Sequence, residues 1–217
     1  IALLAPILGS IADEGGRRKP WVFFFTVMGV LGSGILWFAE PNADFIWFAL
    51  IAAFFATIGS ELALIFYNAM LPDLAPPDKI GRWSGWGWGL GYLGGLMCLV
   101  VGYFVFYLNG AELFGLDEAS AQNTRITFLL TGLWYALFSI PFFLNTEDTP
   151  SKKKPYKQAI SDGITTLKDG LSILKTRPDI SRFLIARLFY NDGLATIFAM
   201  GGIYAAGTFG FKTADIF

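Results

Sequence analysis

The stretch GRWSGWGWGLGYLGG at residues 81–95 decides how the chain is interpreted, because it contains the spelling G-x-G-x-x-G at Gly89, Gly91 and Gly94. A dinucleotide-binding loop of that spelling follows a β-strand, opens a helix and precedes an acidic residue by about 20 positions. Here a proline-rich segment, residues 69–82, precedes the glycines, and a long aromatic and apolar run follows them. The spelling therefore does not predict a phosphate site.

The same glycines fit a membrane-spanning helix. Small residues four positions apart form a flat strip that lets the backbone of another helix come close. We predict a helix-packing surface made of Gly85, Gly87, Gly89, Gly91, Gly94 and Gly95. Three indoles near the start of the run, Trp83, Trp86 and Trp88, are typical of the interface between a membrane and water.

The composition favours lipid as the surrounding solvent. Of 217 residues, 54% are apolar and 15% charged, whereas soluble domains have about 25% charged residues. The net charge of −1 gives no general attraction to nucleic acid. Histidine is absent and Cys98 is the single cysteine, which excludes histidine metal sites, serine–histidine triads and an internal disulfide. The chain starts within an apolar run at Ile1, so we expect an internal segment of a longer protein.

Five apolar runs are long enough to cross a membrane, which takes about 20 residues as a helix. They lie at residues 21–39, 45–67, 84–108, 126–144 and 181–206. Residues 1–9 have the composition of the end of a sixth. The runs lack the alternation of a strand, and helices satisfy their own backbone groups in lipid. We predict an all-α membrane protein.

The connections alternate in charge. Basic residues cluster before the first full run, between the second and third, and between the fourth and fifth, at Arg17, Arg18, Lys19, Lys79, Arg82 and then Lys152, Lys153, Lys154 and Lys157. The other connections carry Glu40, Asp44, Glu112, Asp117 and Glu118. Basic loops remain in the cytoplasm, so we expect that side to be cytoplasmic.

The runs divide the chain into three regions. Residues 1–144 hold a partial helix and four full ones, residues 145–180 form a cytoplasmic loop, and residues 181–217 hold the last span. Within the loop, one face of a predicted amphipathic helix is apolar, with Ile160, Ile164, Leu167, Leu171 and Leu174. It is either a linker helix or one that lies on the membrane surface.

The segment GSIADEGGRRK, residues 9–19, resembles a loop motif of the major facilitator superfamily, G-x-x-x-D-[RK]-x-G-[RK]-[RK]. The match covers Gly9, Asp13, Gly16, Arg17 and Arg18, and departs at the residue after Asp13, which is acidic here. In that family the loop is a conformational latch on the cytoplasmic side. The resemblance therefore implies that this loop is part of a cytoplasmic gate. The alternative is an ordinary basic loop that anchors the topology.

Two longer segments narrow the resemblance. FYNAMLPDLAPPDKIGRWSGWGWGLGYLGG (66–95) and RLFYNDGLATIFAMGGIYAAGTFGF (187–211) look like the vacuole effluxer branch, which includes fungal amino-acid exporters and bacterial relatives. The resemblance implies helices two to seven of a twelve-helix bundle. It also implies a multi-pass protein, which we expect in a bacterial inner membrane rather than a vacuolar membrane.

Ionisable residues inside a span are expensive and are therefore candidates for function. Glu61 shares a polar stripe with Thr57 and Asn68, and we expect it about six residues from the cytoplasmic end of its helix. The last run contains Arg187, Asn191 and Asp192. In the superfamily these two helices line the central cavity from opposite halves, so the resemblance implies that Glu61 and Arg187 pair when the cavity closes. Asp192 is expected to bind a solute amine, carry a proton or pair with Arg187. Structural ion pairs without a role in transport are the alternative.

The resulting expectation is a secondary transporter that moves a small solute, amino acids by resemblance, by alternating access, with a proton as a candidate coupling ion. No P-loop or metal cluster is present in the sequence, so we expect neither an enzyme nor a cofactor. The partners are the solute and the bilayer, and no oligomer is required. The alternatives are a permease for a sugar, drug or peptide, or a membrane scaffold or sensor that does not transport.

Overall fold

A computed structural model describes residues 8–9, 16–117, 119–148, 150 and 156–211. Within these ranges the chain is helical and contains no strand. The helices are α1 (Lys19–Ile35), α2 (Ile46–Leu74), α3 (Ile80–Val101), α4 (Gly110–Phe114), α5 (Gln122–Asn145), α6 (Tyr156–Thr176) and α7 (Pro178–Phe209). Two 3-10 turns, Leu36–Phe38 and Ala43–Phe45, join α1 to α2, and a π-helical turn, Gly102–Tyr107, extends α3.

Five helical segments are long and apolar enough to cross a membrane. They are Lys19–Phe38, Ala43–Leu74, Ile80–Tyr107, Gln122–Asn145 and Pro178–Phe209. Each contains one of the five predicted runs or nearly all of it, so the prediction of an all-α membrane protein is confirmed. Of the predicted partial span, only residues 8 and 9 are described, and both are helical.

The chain forms two compact units, Ile1–Ile164 and Thr165–Phe217. The division falls inside α6, where the sequence analysis placed the middle of a loop between two domains. The division at residues 144 and 180 remains a prediction. The predicted helix of the loop is present as α6, which is not among the segments that could span a membrane.

The core of the first unit lies where α1 packs on α2. Its buried side chains include Phe25, Leu62, Phe66 and Met70. The rings of Phe25 and Phe66 stack with their centroids 5.7 Å apart, an offset geometry that adds to the burial of the rings. On its other side α1 contacts α5, where the buried Thr26 hydroxyl and the Tyr135 hydroxyl are 3.3 Å apart in a hydrogen bond.

Glycines set the distance between α1 and α2. A Cβ added to Gly59 would lie 2.4 Å from the backbone nitrogen of Gly29, and one added to Gly32 would lie 2.5 Å from that of Ala56. Both distances are shorter than atoms tolerate, so the backbones meet only because these residues lack side chains. This close crossing fixes α1 and α2 as one rigid pair.

The second unit consists of the end of α6 and all of α7. Pro178 occupies the first turn of α7, where the missing N–H is no loss. Just before the helix, Arg177 pairs with Asp179 at 3.3 Å, and the Ser181 hydroxyl donates to the carbonyl of Leu174 at 2.6 Å. At the other end Gly210 adopts a φ of 68°, the left-handed conformation that terminates helices.

Candidate functional site

The loop motif enters α1 through a sharp turn. Gly16 is buried and has a φ of 83°, a conformation that glycine adopts without strain. Arg17 follows with an exposed side chain, while that of Arg18 turns back into the protein. Gly9 is helical, and Asp13 lies outside the described residues. The described part of the motif thus aims one of its two arginines at the rest of the bundle.

Arg18 connects the start of α1 to the end of α2. Its Nη1 donates to the carbonyl of Ala69 at 2.9 Å and to the carboxylate of Asp73. The Arg18 side chain is 16% exposed and that of Asp73 48%. A guanidinium close to the last carbonyls of a helix also interacts favourably with the helix dipole. Arg18 therefore holds the helix ends together by both charge and hydrogen bonds.

The start of α1 and the end of α5 satisfy each other's free backbone groups. The Asp148 carboxylate accepts hydrogen bonds from the backbone N–H groups of Arg18 and Lys19, both at 3.0 Å. In return, the Lys19 ammonium donates to the carbonyls of Phe143 at 2.8 Å and Thr146 at 2.6 Å. A carboxylate at a helix N-terminus and a cation at a C-terminus are the arrangements that the helix dipole favours.

We call Arg18, Lys19, Asp73 and Asp148 the helix-end cluster. It joins the basic ends of α1, α2 and α5 into one assembly. The sequence analysis identified Arg18 but missed both aspartates. The available signal was their position, since Asp73 and Asp148 are acidic residues at span ends on the side where the basic residues cluster.

The polar stripe of α2 faces away from the core. Thr57, Glu61 and Asn68 are exposed, whereas Leu62 and Phe66 on the other face are buried. Glu61 lies about midway along α2 and is further from the helix end than the predicted six residues, because the helix continues to Leu74. An ionised carboxylate at mid-span is stable against water or polar protein groups and not against lipid. This face of α2 is thus the best candidate for the wall of a polar cavity.

The second set of polar residues lies on α7. Arg187, Asn191 and Asp192 are all exposed within their unit, and Asp192 lies near the middle of the helix. Asn191 is one turn beyond Arg187, so these two share a face. Glu61 belongs to the other compact unit. The Glu61–Arg187 pair therefore remains a prediction.

The predicted glycine surface of α3 has no neighbour in the described part of the chain. A Cβ added at Gly85, Gly87, Gly89, Gly91, Gly94 or Gly95 would meet nothing within 4 Å. Close packing occurs instead at Gly29, Gly32 and Gly59, which the sequence analysis missed. Their signal was weaker, because the three are divided between two runs and form no dense repeat. The surface on α3 stays a prediction for a partner outside the described residues.

Five apolar spans, together with a loop motif whose Arg18 bonds the end of α2, define an integral membrane protein of the major facilitator type. A family model described as vacuole effluxer Atg22 like matches residues 1–83 and 79–217, and the chain belongs to that family.

Three relatives extend this assignment. The chain is 30% identical to the uncharacterized MFS-type transporter YxiO of Bacillus subtilis over 95% of its length, and 21% identical to autophagy-related protein 22 of Yarrowia lipolytica over 96%. It is 23% identical to an uncharacterized protein of Aquifex aeolicus over 99%. The chain spans 47% of the length of each relative. No solved structure matches.

Proposed function

We propose that the whole protein is a secondary active transporter that moves amino acids across a membrane by alternating access. The observation that carries this proposal is the exposed carboxylate of Glu61 at mid-span, in line with Thr57 and Asn68. A scaffold has no need for a charge at that depth, whereas a transport path does. The family to which the chain belongs, described as vacuole effluxers, supports the same function.

In the proposed mechanism α1, α2 and α5 move together. The helix-end cluster joins all three helices, the glycine crossing holds α1 to α2, and the Thr26–Tyr135 hydrogen bond holds α1 to α5, so the change of shape falls between bundles and not within this one. Glu61 then closes the cavity by pairing with Arg187, and the loop with Asp13 latches the cytoplasmic side. Asp192 supplies a carboxylate for the amine of the solute or for a proton.

We place the protein in a bacterial inner membrane, which the relatives from Bacillus subtilis and Aquifex aeolicus support. The driving force is an ion gradient, with the proton as the first candidate. One proton that crosses a potential of 100 mV gains about 2.3 kcal/mol, enough for roughly a fortyfold concentration ratio. Transport by a single copy is sufficient for this mechanism.

The test is uptake by the full-length protein in proteoliposomes. Labelled amino acids, sugars and peptides are offered with and without an imposed pH gradient. We expect accumulation of amino acids that depends on the gradient. Glu61→Gln should lower it by about tenfold or more, since the proposed charge contact with Arg187 in the closed cavity is worth at least about 1.4 kcal/mol. Glu40→Gln, an exposed acidic residue outside the helices, serves as the matched control.

The proposed ion pair between Glu61 and Arg187 is tested by the same uptake measurement on further variants. Arg187→Gln should lower uptake by a similar factor, and the exchange of both residues, Glu61→Arg with Arg187→Glu, should restore part of it. Normal uptake by either single variant contradicts the gate. Accumulation of a sugar or peptide instead of amino acids contradicts the substrate class, and uptake of no solute on the panel contradicts transport itself.

A further inference from the structure

An apolar groove runs along the first unit between α1 and α5. It has a volume of about 390 Å³ and is lined by Phe23, Val27, Leu31, Ala136, Ile140 and Leu144 among others. Its two hydroxyl groups are bonded elsewhere, since Thr26 pairs with Tyr135 and Ser139 donates to the carbonyl of Ala136 at 2.8 Å. The surface offered to a ligand is therefore hydrocarbon.

The groove extends over most of the thickness of one membrane leaflet. It begins at the basic end, where the rings of Phe23 and Phe143 meet edge to face with centroids 5.5 Å apart, and reaches Leu31 on α1. Eight residues of helix rise about 12 Å, and half of a hydrocarbon core is about 15 Å. A chain lying in the groove would thus extend from the interface almost to the middle of the bilayer.

The groove has room for one hydrocarbon chain. Its volume is about 390 Å³ and follows about 12 Å of helix between α1 and α5. The groove is open on one side, so a helix of the whole protein is the other candidate occupant, and the nitroxide measurement below distinguishes the two.

A positive charge stands at the mouth of the groove. The Lys19 ammonium bonds the carbonyl of Phe143, which lines the groove, and the carbonyl of Thr146. An ammonium has three N–H groups, and in the described part of the chain these two carbonyls use two, which leaves one for a ligand. Exposed Arg17 lies two residues before Lys19, and Glu147 and Asp148 follow the end of α5 at the same place. Lysine and arginine side chains at a membrane surface attract anionic lipid.

We propose that this groove binds one anionic phospholipid, with an acyl chain between α1 and α5 and the phosphate on the Lys19 ammonium. The groove is lined by α1 and α5, whereas the residues of the proposed transport path belong to α2 and α7. The bound lipid completes the packing of α1 on α5 at the end where the helix-end cluster joins them.

The first experiment is native mass spectrometry of the full-length protein, loaded with phosphatidylglycerol or phosphatidylcholine. We expect one tightly held phosphatidylglycerol. Val27→Phe should lower its retention by about tenfold, the effect of losing contact with two methylene groups. Val100→Phe makes the same substitution at an exposed position of α3 and should leave retention unchanged. Equal retention by the two variants overturns the site.

The headgroup contact is tested in the same way. Lys19→Gln should lower the preference for phosphatidylglycerol over phosphatidylcholine by about fivefold, the worth of one lysine at a membrane surface. Lys79→Gln, an exposed lysine at the start of α3, is the control. A preference that is unchanged by Lys19→Gln overturns the assignment of the phosphate to this ammonium.

A second measurement excludes protein as the occupant. A nitroxide is attached through Ile140→Cys in a Cys98→Ser background of the full-length protein, and its collision rate with oxygen in bilayers is recorded. We expect a high rate, as for a side chain in contact with acyl chains. A nitroxide shielded from oxygen shows that another helix of the whole protein covers the groove, and overturns the proposal.

Discussion

Two groups of glycines in this chain behave in opposite ways. At the crossing of α1 and α2, an added Cβ on Gly59 or Gly32 would strike the backbone of the other helix. Along α3, six glycines in eleven residues face open space in the described part of the chain. The denser group is thus the one without a neighbour. Glycine density in a span indicates the capacity for close packing, and the partner decides whether that capacity is used.

The two groups of glycines also differ in where their packing partners lie. The crossing of α1 and α2 is complete within the chain, and charged contacts reinforce it at the basic end. The α3 glycines remain available to a helix outside the described residues. The comparison therefore yields different expectations for the same substitution at different glycines.

The largest effect is expected at the crossing. Gly59→Ala places a methyl group against the backbone of Gly29, and the two helices must separate because neither backbone can yield locally. We expect a loss of about 3 kcal/mol, the upper end for an overfilled core. The measurement is the thermal midpoint of the full-length protein in detergent.

Gly34→Ala is the matched control for that substitution. Its Cβ would meet only Leu129, at 4.0 Å, an ordinary contact within the same packed unit. Replacing a helical glycine there should be neutral or stabilise by up to about 1 kcal/mol. If both variants lower the midpoint equally, the close crossing does not determine stability.

A smaller change in the thermal midpoint is expected on α3, where a substitution tests whether the glycines have a packing partner. Gly91 lies on a face with Gly87, Gly94 and Gly95. If this face packs on a helix of the whole protein, Gly91→Ala should cost about 1–2 kcal/mol in the same assay. A raised midpoint, as expected for Gly34→Ala, would show that the α3 glycines face lipid or a cavity.

The spans could be predicted from sequence because hydropathy and loop charge are local signals. The contacts between the ends of the spans could not be predicted in this way. Arg18 meets Asp73 and Asp148, residues 55 and 130 positions away, and no local pattern pairs them. The distance of Glu61 from the end of its helix was underestimated, because the polar and proline-containing end of α2 remains helical through Pro72. The glycines of α3 were predicted to pack closely because they are numerous, whereas Gly29, Gly32 and Gly59 belong to no dense repeat and were not predicted.

The next largest loss of stability is expected at the helix-end cluster. Arg18→Ala removes the hydrogen bonds to Ala69 and Asp73. Since Asp73 is about half exposed, solvent weakens the ion pair, and we expect a loss of about 1 kcal/mol. Arg17→Ala deletes the exposed neighbour and should change the midpoint by less than about 0.5 kcal/mol.

A double-mutant cycle measures how much of this loss comes from the contact between Arg18 and Asp73. Asp73→Asn should have little further effect once Arg18 is gone, because the two side chains act as a pair. Additive losses would contradict a direct contact. The same loss for Arg17→Ala and Arg18→Ala would mean that net charge, and not the geometry of the cluster, stabilises this end of the bundle.

The smallest change in the thermal midpoint is expected at Asp117, which lies between the π-helical end of α3 and the start of α5. A hydrogen bond with the Ser120 side chain, together with the backbone N–H groups of Ala119 and Ser120, lowers the pKa of Asp117. A lowered folded-state pKa contributes stability above the unfolded value of about 3.9, and the contribution is lost as the pH falls through the folded value. Asp117→Asn should therefore lower the midpoint at pH 7, by less than Arg18→Ala does, because this carboxylate is fully exposed.

At a pH below the folded pKa of Asp117, the variant and the parent protein should have the same midpoint, since both then carry a neutral side chain. Asn123→Ala, a change in the first turn of α5 that leaves the carboxylate in place, should show no such pH dependence. A difference between Asp117→Asn and the parent that persists in acid would show that the side chain acts through its shape and not through its charge. The end of α3 would then be held by loop packing, as the crossing of α1 and α2 is held by shape.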